Sequence, residues 1–197
     1  MPFFMETQDL RTLKILEKVD NGYSPSQRDL ARELNISLGL VNSFIKRLAL
    51  KGYVKVSSIP RKRIQYILTP KGMAEKSRLT YHYIQSSYQY YRQARQKLQK
   101  LFGELETQGV QSVVFHGASD LAEIAFLSLQ ETGINLVGVV DDRNPGKKLL
   151  GHEIIDSRGL AKVSFDRIVI TEDGTRDLLL DRLLTSGVPR DKIVFVE

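Results

Sequence analysis

Residues 26–51, SQRDLARELNISLGLVNSFIKRLALK, admit few folds. Ser26 followed three residues later by Asp29 makes a capping box, so a helix starts here. Leu30, Ala31 and Leu34 fall on one face of that helix. Asn35, which tolerates left-handed backbone, then breaks it. Ile36 fills the corner and Ser37 caps a second helix. The second helix carries Val41, Phe44, Ile45 and Leu48 at spacings of three and four, which puts them on one buried face. Ala31 is small where two helices must cross closely. Two short helices at a steep angle around a tight turn form a helix-turn-helix, whose second helix enters the major groove of DNA.

A helical hairpin with no DNA role would give part of this pattern, so the next stretch matters. Residues 53–58 read as a strand, 59–63 as a turn, and 64–68 as the returning strand. A hairpin directly after the second helix is a wing. Its tip holds Arg61, Lys62 and Arg63, three consecutive cations suited to phosphate or minor-groove contact. On the second helix Gly39, Asn42, Ser43 and Lys46 lie opposite the apolar face, flanked by Ser37 and Arg47. Asn42 can pair bidentately with adenine, and Lys46 with guanine or phosphate.

Charge divides the chain of 197 residues. Residues 1–109 hold 19 Lys and Arg against 9 Asp and Glu, a net of +10. Residues 110–197 hold 10 against 14, a net of −4. A basic half joined to an acidic half fits a nucleic-acid module fused to a module with another task. The absence of cysteine excludes disulfides, thiolate zinc sites and cysteine nucleophiles. No run approaches the ~18 apolar residues of a membrane span, and the N-terminus lacks the pattern of a secretory signal. A cytoplasmic location without membrane partners is the expectation.

Residues 6–20 read as a first helix with Leu10, Leu13, Leu16 and Val19 inward, ended by Asn21-Gly22. Thr69-Pro70 starts another helix, with Thr as cap and Pro at the first position. No proline interrupts it before residue 102. Leu79, Tyr83, Tyr90, Ala94, Leu98 and Leu101 form a stripe, widened by Ile84, Tyr88 and Tyr91. Five of the eight tyrosines lie between Tyr81 and Tyr91. Tyrosine suits an interface, because its ring buries while its hydroxyl finds a partner. A helix of this length needs an apolar partner, so a homodimer is expected through this stripe.

After Gly109 the pattern changes. Apolar strands at residues 112–116, 134–140, 165–171 and 192–196 alternate with helices opening at Gly117 and at Thr175, and residues 143–147 read as a loop. Alternation of this kind means a parallel sheet with helices on both faces. The expected architecture is an α+β winged helix-turn-helix domain (1–76), a long connecting helix (77–109) and an α/β Rossmann-like domain with a parallel sheet (110–197).

The turn from Gly117 to Ala122 sits where a dinucleotide fold places its glycine-rich loop, with Gly117, Ser119 and Ala122 at the three small-residue positions. Asp141, 24 residues after Gly117, stands near the place of a ribose-binding acid. The strand ends gather His116, Gly117, Ser119, Asp141, Arg143 and Thr171, with Lys147 following in the loop. Backbone N–H groups at the helix start, Asp141 as a ribose acceptor, and Arg143 and Lys147 as countercharge suit a nucleotide, nucleotide-sugar or dinucleotide effector. Asp120 opposes it, since its charge at the helix start repels phosphate. No nucleophile, base and orienting group come together, and the three histidines show no metal-ligand spacing.

The N-terminal half resembles the MarR-like winged-helix regulators encoded with bacterial exopolysaccharide gene clusters. The resemblance rests on the segment from Ser26 to Leu34, Ile36-Ser-Leu-Gly39, Val41-Asn42, and Leu68-Thr-Pro-Lys-Gly72 with Glu75-Lys76 and Leu79-Thr80. It implies a dimeric transcriptional regulator that binds double-stranded DNA. The C-terminal half looks like the nucleotide-binding domain at the front of sugar acetyltransferases and polysaccharide-biosynthesis epimerases and dehydratases. Here the residues are Gly117-Ala-Ser119, Val137-Gly-Val-Val-Asp-Asp142, Gly151 with Ile154, and Ile168-Val-Ile170. Those relatives continue the loop with a glycine-rich run, where this chain has Asp120-Leu-Ala122. Two further readings stand beside the regulator: a nucleotide-sugar enzyme or enzyme subunit that uses the winged helix for protein contacts, and an RNA-binding module.

Overall fold

The computed structural model describes residues 5–21, 25–59, 63–172 and 174–196, with Ser58, Ile59 and Arg63 described by backbone alone. The expected helix stop at Gly22 and the wing-tip cations Arg61 and Lys62 lie outside the described residues. The chain divides into two compact units, Met1–Tyr90 and Tyr91–Glu197. The division falls within one helix.

The first unit is a winged helix. Helix α1 spans Thr7–Asp20, α2 Gln27–Glu33 and α3 Leu38–Leu50. The capping box of α2 is formed: the Asp29 N–H donates to Ser26 Oγ at 3.2 Å, and the Ser26 N–H donates back to the Asp29 carboxylate at 3.1 Å. Asn35 takes φ 51°, the left-handed value its short amide side chain permits. Ser37 caps α3 by accepting from the Leu40 N–H at 3.2 Å. Strands β1 (Val54–Ile59) and β2 (Arg63–Leu68) form the antiparallel wing, with Val54 opposite Leu68 and Ile59 opposite Arg63. Leu13, Ile15, Leu16, Leu30, Val41, Phe44, Leu48 and Leu79 close one core, with Ile36 packed at its corner. Gln27 donates to the Tyr66 hydroxyl at 2.9 Å and so ties α2 to β2.

Helix α4 runs from Pro70 to Thr107, 38 residues. Its expected single stripe is split. Leu79 is buried in the first unit, and Ala94, Leu98, Phe102 and Leu105 are buried in the second. Between them the helix is largely exposed, so the apolar residues left for an interface are Tyr81, Tyr83, Ile84 and Tyr88. A stripe that looks uniform in sequence thus serves different cores along its length.

The second unit is a six-stranded mixed sheet of order β5-β6-β4-β3-β7-β8. The strands are β3 (Ser112–His116), β4 (Asn135–Val140), β5 (Lys148–Leu149), β6 (His152–Ile155), β7 (Arg167–Ile170) and β8 (Ile193–Phe195). Helix α5 (Asp120–Leu129) joins β3 to β4, and α6 (Arg176–Thr185) joins β7 to β8. Strands β6, β4, β3, β7 and β8 are mutually parallel, and β5 pairs antiparallel with β6. The four strands read from the sequence are parallel as expected, and the added antiparallel β5 makes the sheet mixed. The segment expected to be a loop continues into a β5–β6 hairpin, closed by Leu150 at φ 54° and Gly151 at φ 82°. Two successive residues at positive φ make the tight hairpin turn. The crossover after β6 is a short 3-10 turn, Gly159–Lys162, rather than an α-helix. Alternation along β3 sends Val114 into the core that holds Leu179 and Leu183 of α6, while Phe115 stacks 6.3 Å from Phe102 of α4.

Candidate functional site

Helix α3 buries Val41, Phe44, Ile45 and Leu48 and leaves Gly39, Ser43, Lys46 and Arg47 exposed, with Asn42 half-buried. Ser43 donates to the Gly39 carbonyl at 3.0 Å. A Cβ built on Gly39 meets nothing within 4 Å, so packing does not require glycine there. Two expected contact residues have local work. Ser37 is the cap of α3, and Arg47 donates to Gln8 at 2.9 Å while its guanidinium lies 5.2 Å from the centre of the Phe44 ring. Among the described residues, Asn42 and Lys46 are the polar side chains on this face with no partner inside the domain, since Ser43 is bonded within the helix. Beside the helix, Lys51 and Lys71 flank the Tyr53 ring at 5.8 and 5.6 Å, a pair of cations that the sequence reading did not single out.

At the carboxyl ends of β3, β4 and β7 the expected ligand residues do meet, but they are engaged with one another. Gly117 takes φ 111°, as a tight turn requires. Its N–H, expected to face a phosphate, donates to the Val140 carbonyl at 2.8 Å. The Ala118 N–H donates to Asp141 Oδ2 at 3.1 Å. Ser119 Oγ accepts from the Leu121 N–H at 3.1 Å as the α5 cap and donates to the Thr171 carbonyl. Thr171 is fully buried, and its hydroxyl donates to the Gly117 carbonyl at 2.7 Å. These bonds among Gly117, Ala118, Ser119 and Thr171 hold the turn together.

Asp141 is buried, and the Arg143 N–H and Nε donate to its Oδ1 at 2.9 and 3.1 Å. Burial disfavours the charged carboxyl, yet the hydrogen bonds from Arg143 and Ala118 hold it below the usual carboxylate range. Both oxygens of Asp141 thus already have partners, Oδ1 in Arg143 and Oδ2 in Ala118 and Arg143. Arg143 also reaches Glu172 at 3.4 Å. Lys147 donates to Asn144 at 2.8 Å within its own loop. Asp142 turns the other way and accepts from the Ser157 N–H and hydroxyl at 2.8 and 2.7 Å, which lowers its pKa.

Glu172 is the residue that sequence reasoning missed. It directly follows Thr171, so its place at a strand end was the available signal. Its backbone and Cβ press on the Gly117 turn: a Cβ on Gly117 would stand 2.3 Å from Glu172 Cβ. His116 is buried, with Nδ1 3.0 Å from Glu172 Oε1. Burial pushes the imidazole pKa down, against the pull of Glu172 and Asp142, while Arg182 pushes it further down. Among the described residues no group of three or more His, Asp or Glu could hold a metal ion, and no helix is long and apolar enough to cross a membrane.

Residues 5–55 match the family described as winged helix-turn-helix DNA-binding, and residues 109–194 match the family described as C2185-like, N-terminal. No curated protein matches the chain. Similar solved structures include the zinc-dependent MarR family transcriptional regulator AdcR in its Zn(II)-bound state, at 25% identity over 47% of this chain and 63% of that one, with a TM-score of 0.36. A MarR family transcriptional regulator from Rhodococcus sp. RHA1 is 14% identical over 46% of this chain and 63% of its own, with a TM-score of 0.38. The zinc-responsive MarR family member ZitR of Lactococcus lactis is 18% identical over 54% of this chain and 75% of its own, also with a TM-score of 0.38. The chain thus spans 63% of the length of the first two.

Proposed function

We propose that this chain is a dimeric, DNA-binding transcriptional regulator of the MarR type. The observation that carries the reading is α3. Its apolar face is fully consumed by the core, while Asn42, Ser43 and Lys46 project from the other face beside a glycine that packing does not need. The winged helix-turn-helix family match over residues 5–55 and the +10 charge of residues 1–109 support the same reading. The resemblance to regulators encoded with exopolysaccharide clusters makes surface-polysaccharide genes the proposed target.

For residues 110–197 the proposed role is a Rossmann-like regulatory domain, with a nucleotide or nucleotide sugar as effector. The glycine turn at positive φ and the central position of β3 in the sheet support that class. The carboxylates of Asp141 and Glu172 stand where a diphosphate would approach, so binding requires the Asp141–Arg143–Glu172 network to open.

A gel-shift titration with DNA from the chain's own upstream region, against random DNA of equal length, tests the regulator. Tighter retention of the upstream fragment is the expected result. Replacing Arg61, Lys62 and Arg63 together by alanine should weaken both DNAs and lower the salt slope of log K by about one for each phosphate no longer neutralised. Equal retention of both DNAs by the unaltered protein would overturn sequence-specific regulation.

A further inference from the structure

The two edges of the sheet in the second unit are finished differently. At one edge the short antiparallel β5 covers β6. At the other, β8 pairs with β7 on one side, and among the described residues no strand pairs with its other side. An open strand edge presents backbone N–H and C=O groups to any extended chain that fits beside it. Beside β8 lies a groove of about 480 Å³, walled by Lys97, Lys100, Leu101 and Glu104 on the last turns of α4 and by Arg176 at the start of α6.

The chemistry of the groove narrows the occupant. The helix wall repeats at positions 97, 100, 101 and 104, one face of α4, and offers a half-buried leucine beside two exposed lysines. Arg176 stacks 4.5 Å above the Phe195 ring at the end of β8. Three cations face one acid, Glu104, which lies 3.8 Å from Lys100. Residues 110–197 carry a net −4, so this basic groove runs against the charge of the sheet domain that it borders. A single-stranded nucleic acid would need a free aromatic platform for its bases, and the Phe195 ring is already covered by Arg176. We infer that the β8 edge is a docking groove for an extended acidic peptide segment of a partner protein, which adds as a strand while its carboxylates meet Lys97 and Lys100.

Fluorescence anisotropy on the full chain tests this with three labelled octapeptides. One alternates valine with glutamate, one alternates valine with lysine, and one is the glutamate peptide with alternate backbone nitrogens methylated. The glutamate peptide should bind at least tenfold tighter than either of the others. The double variant Lys97→Glu, Lys100→Glu should reverse the preference between the glutamate and lysine peptides. If that variant fails to fold by circular dichroism, the three peptides on the unaltered chain decide alone. No saturable binding at millimolar peptide, or equal affinity for glutamate and lysine peptides, would overturn the inference. Undiminished binding of the methylated peptide would also overturn it, because strand addition needs those N–H groups. So would tighter binding of a labelled oligothymidylate than of the glutamate peptide, or self-association of the chain that the double variant abolishes, since each assigns the groove to another occupant.

Discussion

Gly72, in the first turn of α4, lies directly against Tyr53: a Cβ on Gly72 would stand 2.0 Å from the Tyr53 carbonyl oxygen. That carbonyl accepts from the Thr69 N–H and hydroxyl, each at 3.1 Å, and the same hydroxyl accepts from the Gly72 N–H at 3.0 Å. The joint therefore locks the end of α3, the start of β1 and the cap of α4 together. Gly72→Ala should destabilise the protein by about 1–3 kcal/mol through overpacking against backbone. Gly103→Ala, in the same helix but with nothing within 4 Å, should stabilise by roughly 0.5–1 kcal/mol. Urea denaturation of both variants checks the contrast, and shifts of the same sign would refute it.

Gly39 offers a separation of folding from DNA binding. Its surroundings are empty, so Gly39→Ala should leave stability unchanged or raise it by up to about 1 kcal/mol. If the first turn of α3 approaches bases closely, the added methyl should weaken specific binding. Asn42→Ala should cost ~1–3 kcal/mol on the specific site and little on random DNA. Anisotropy titrations on both DNAs, paired with thermal melts, read the two effects. An equal loss on both DNAs would deny Asn42 a base-reading role.

How far the sequence foretold these sites depends on how local their causes are. The capping box at Ser26, the left-handed Asn35 and the Thr69 cap are set within four residues, and each forms as read. The β5–β6 hairpin was hidden because Leu150, not a glycine or asparagine, takes the first positive φ of its turn. The residues expected to meet a ligand do lie at or just after the strand ends, but their bonds to one another were invisible. These depend on residues distant in sequence: Gly117 bonds Val140, Ala118 bonds Asp141 and Ser119 bonds Thr171, while Glu172, more than 50 positions from Gly117, is pressed against it in space. Splitting of the α4 stripe was equally illegible, because periodicity reports that a face is apolar and not which core takes it.

The buried His116 makes stability depend on pH in a defined direction. Burial holds the imidazole neutral in the folded chain, while in the unfolded chain it titrates near the ordinary 6.5. Above that value both states are neutral and stability is full. As the pH falls below it, the unfolded chain takes up a proton that the folded chain resists, and stability drops. Glu172 and Asp142 work against the shift and Arg182 works with it, so all three set the width of the window. His116→Gln should lose this acid-side slope. Melting temperatures of both proteins between pH 5 and 8 should converge at the acid end relative to the alkaline end, and parallel curves would remove His116 from the account.

The exposed part of α4 predicts the dimer interface. Tyr81, Ile84 and Tyr88 are 67%, 56% and 58% exposed and recur at spacings of three and four, one stripe on the helix. Large apolar side chains this exposed, in one row, mark an interaction surface. Tyr81→Glu with Ile84→Glu should sediment as a monomer and lose cooperative binding to an inverted repeat whose half-sites lie about 34–36 Å apart. A stable dimer in that variant would put the interface elsewhere.

The last prediction turns on Glu172. Its carboxylate, with that of Asp141, puts two acids beside the Gly117 turn, and Arg143 bridges them. A nucleoside diphosphate sugar approaching this edge would meet negative charge first, and would have to take Arg143 away from both acids. The unaltered chain should therefore bind such ligands weakly. Glu172→Gln removes one charge while keeping the shape that presses on Gly117, so it should bind more tightly. A ligand that binds only the folded chain raises its stability by RT ln(1 + [L]/Kd), so a tenfold gain in affinity appears as about 1.4 kcal/mol at saturating ligand. Thermal-shift series with UDP-sugars, NAD and coenzyme A read this directly. A larger shift in Glu172→Gln than in the unaltered chain, abolished when Gly117→Val fills the turn, would support a nucleotide site gated by its own carboxylate. No shift in either protein at millimolar ligand would leave the domain as an assembly scaffold.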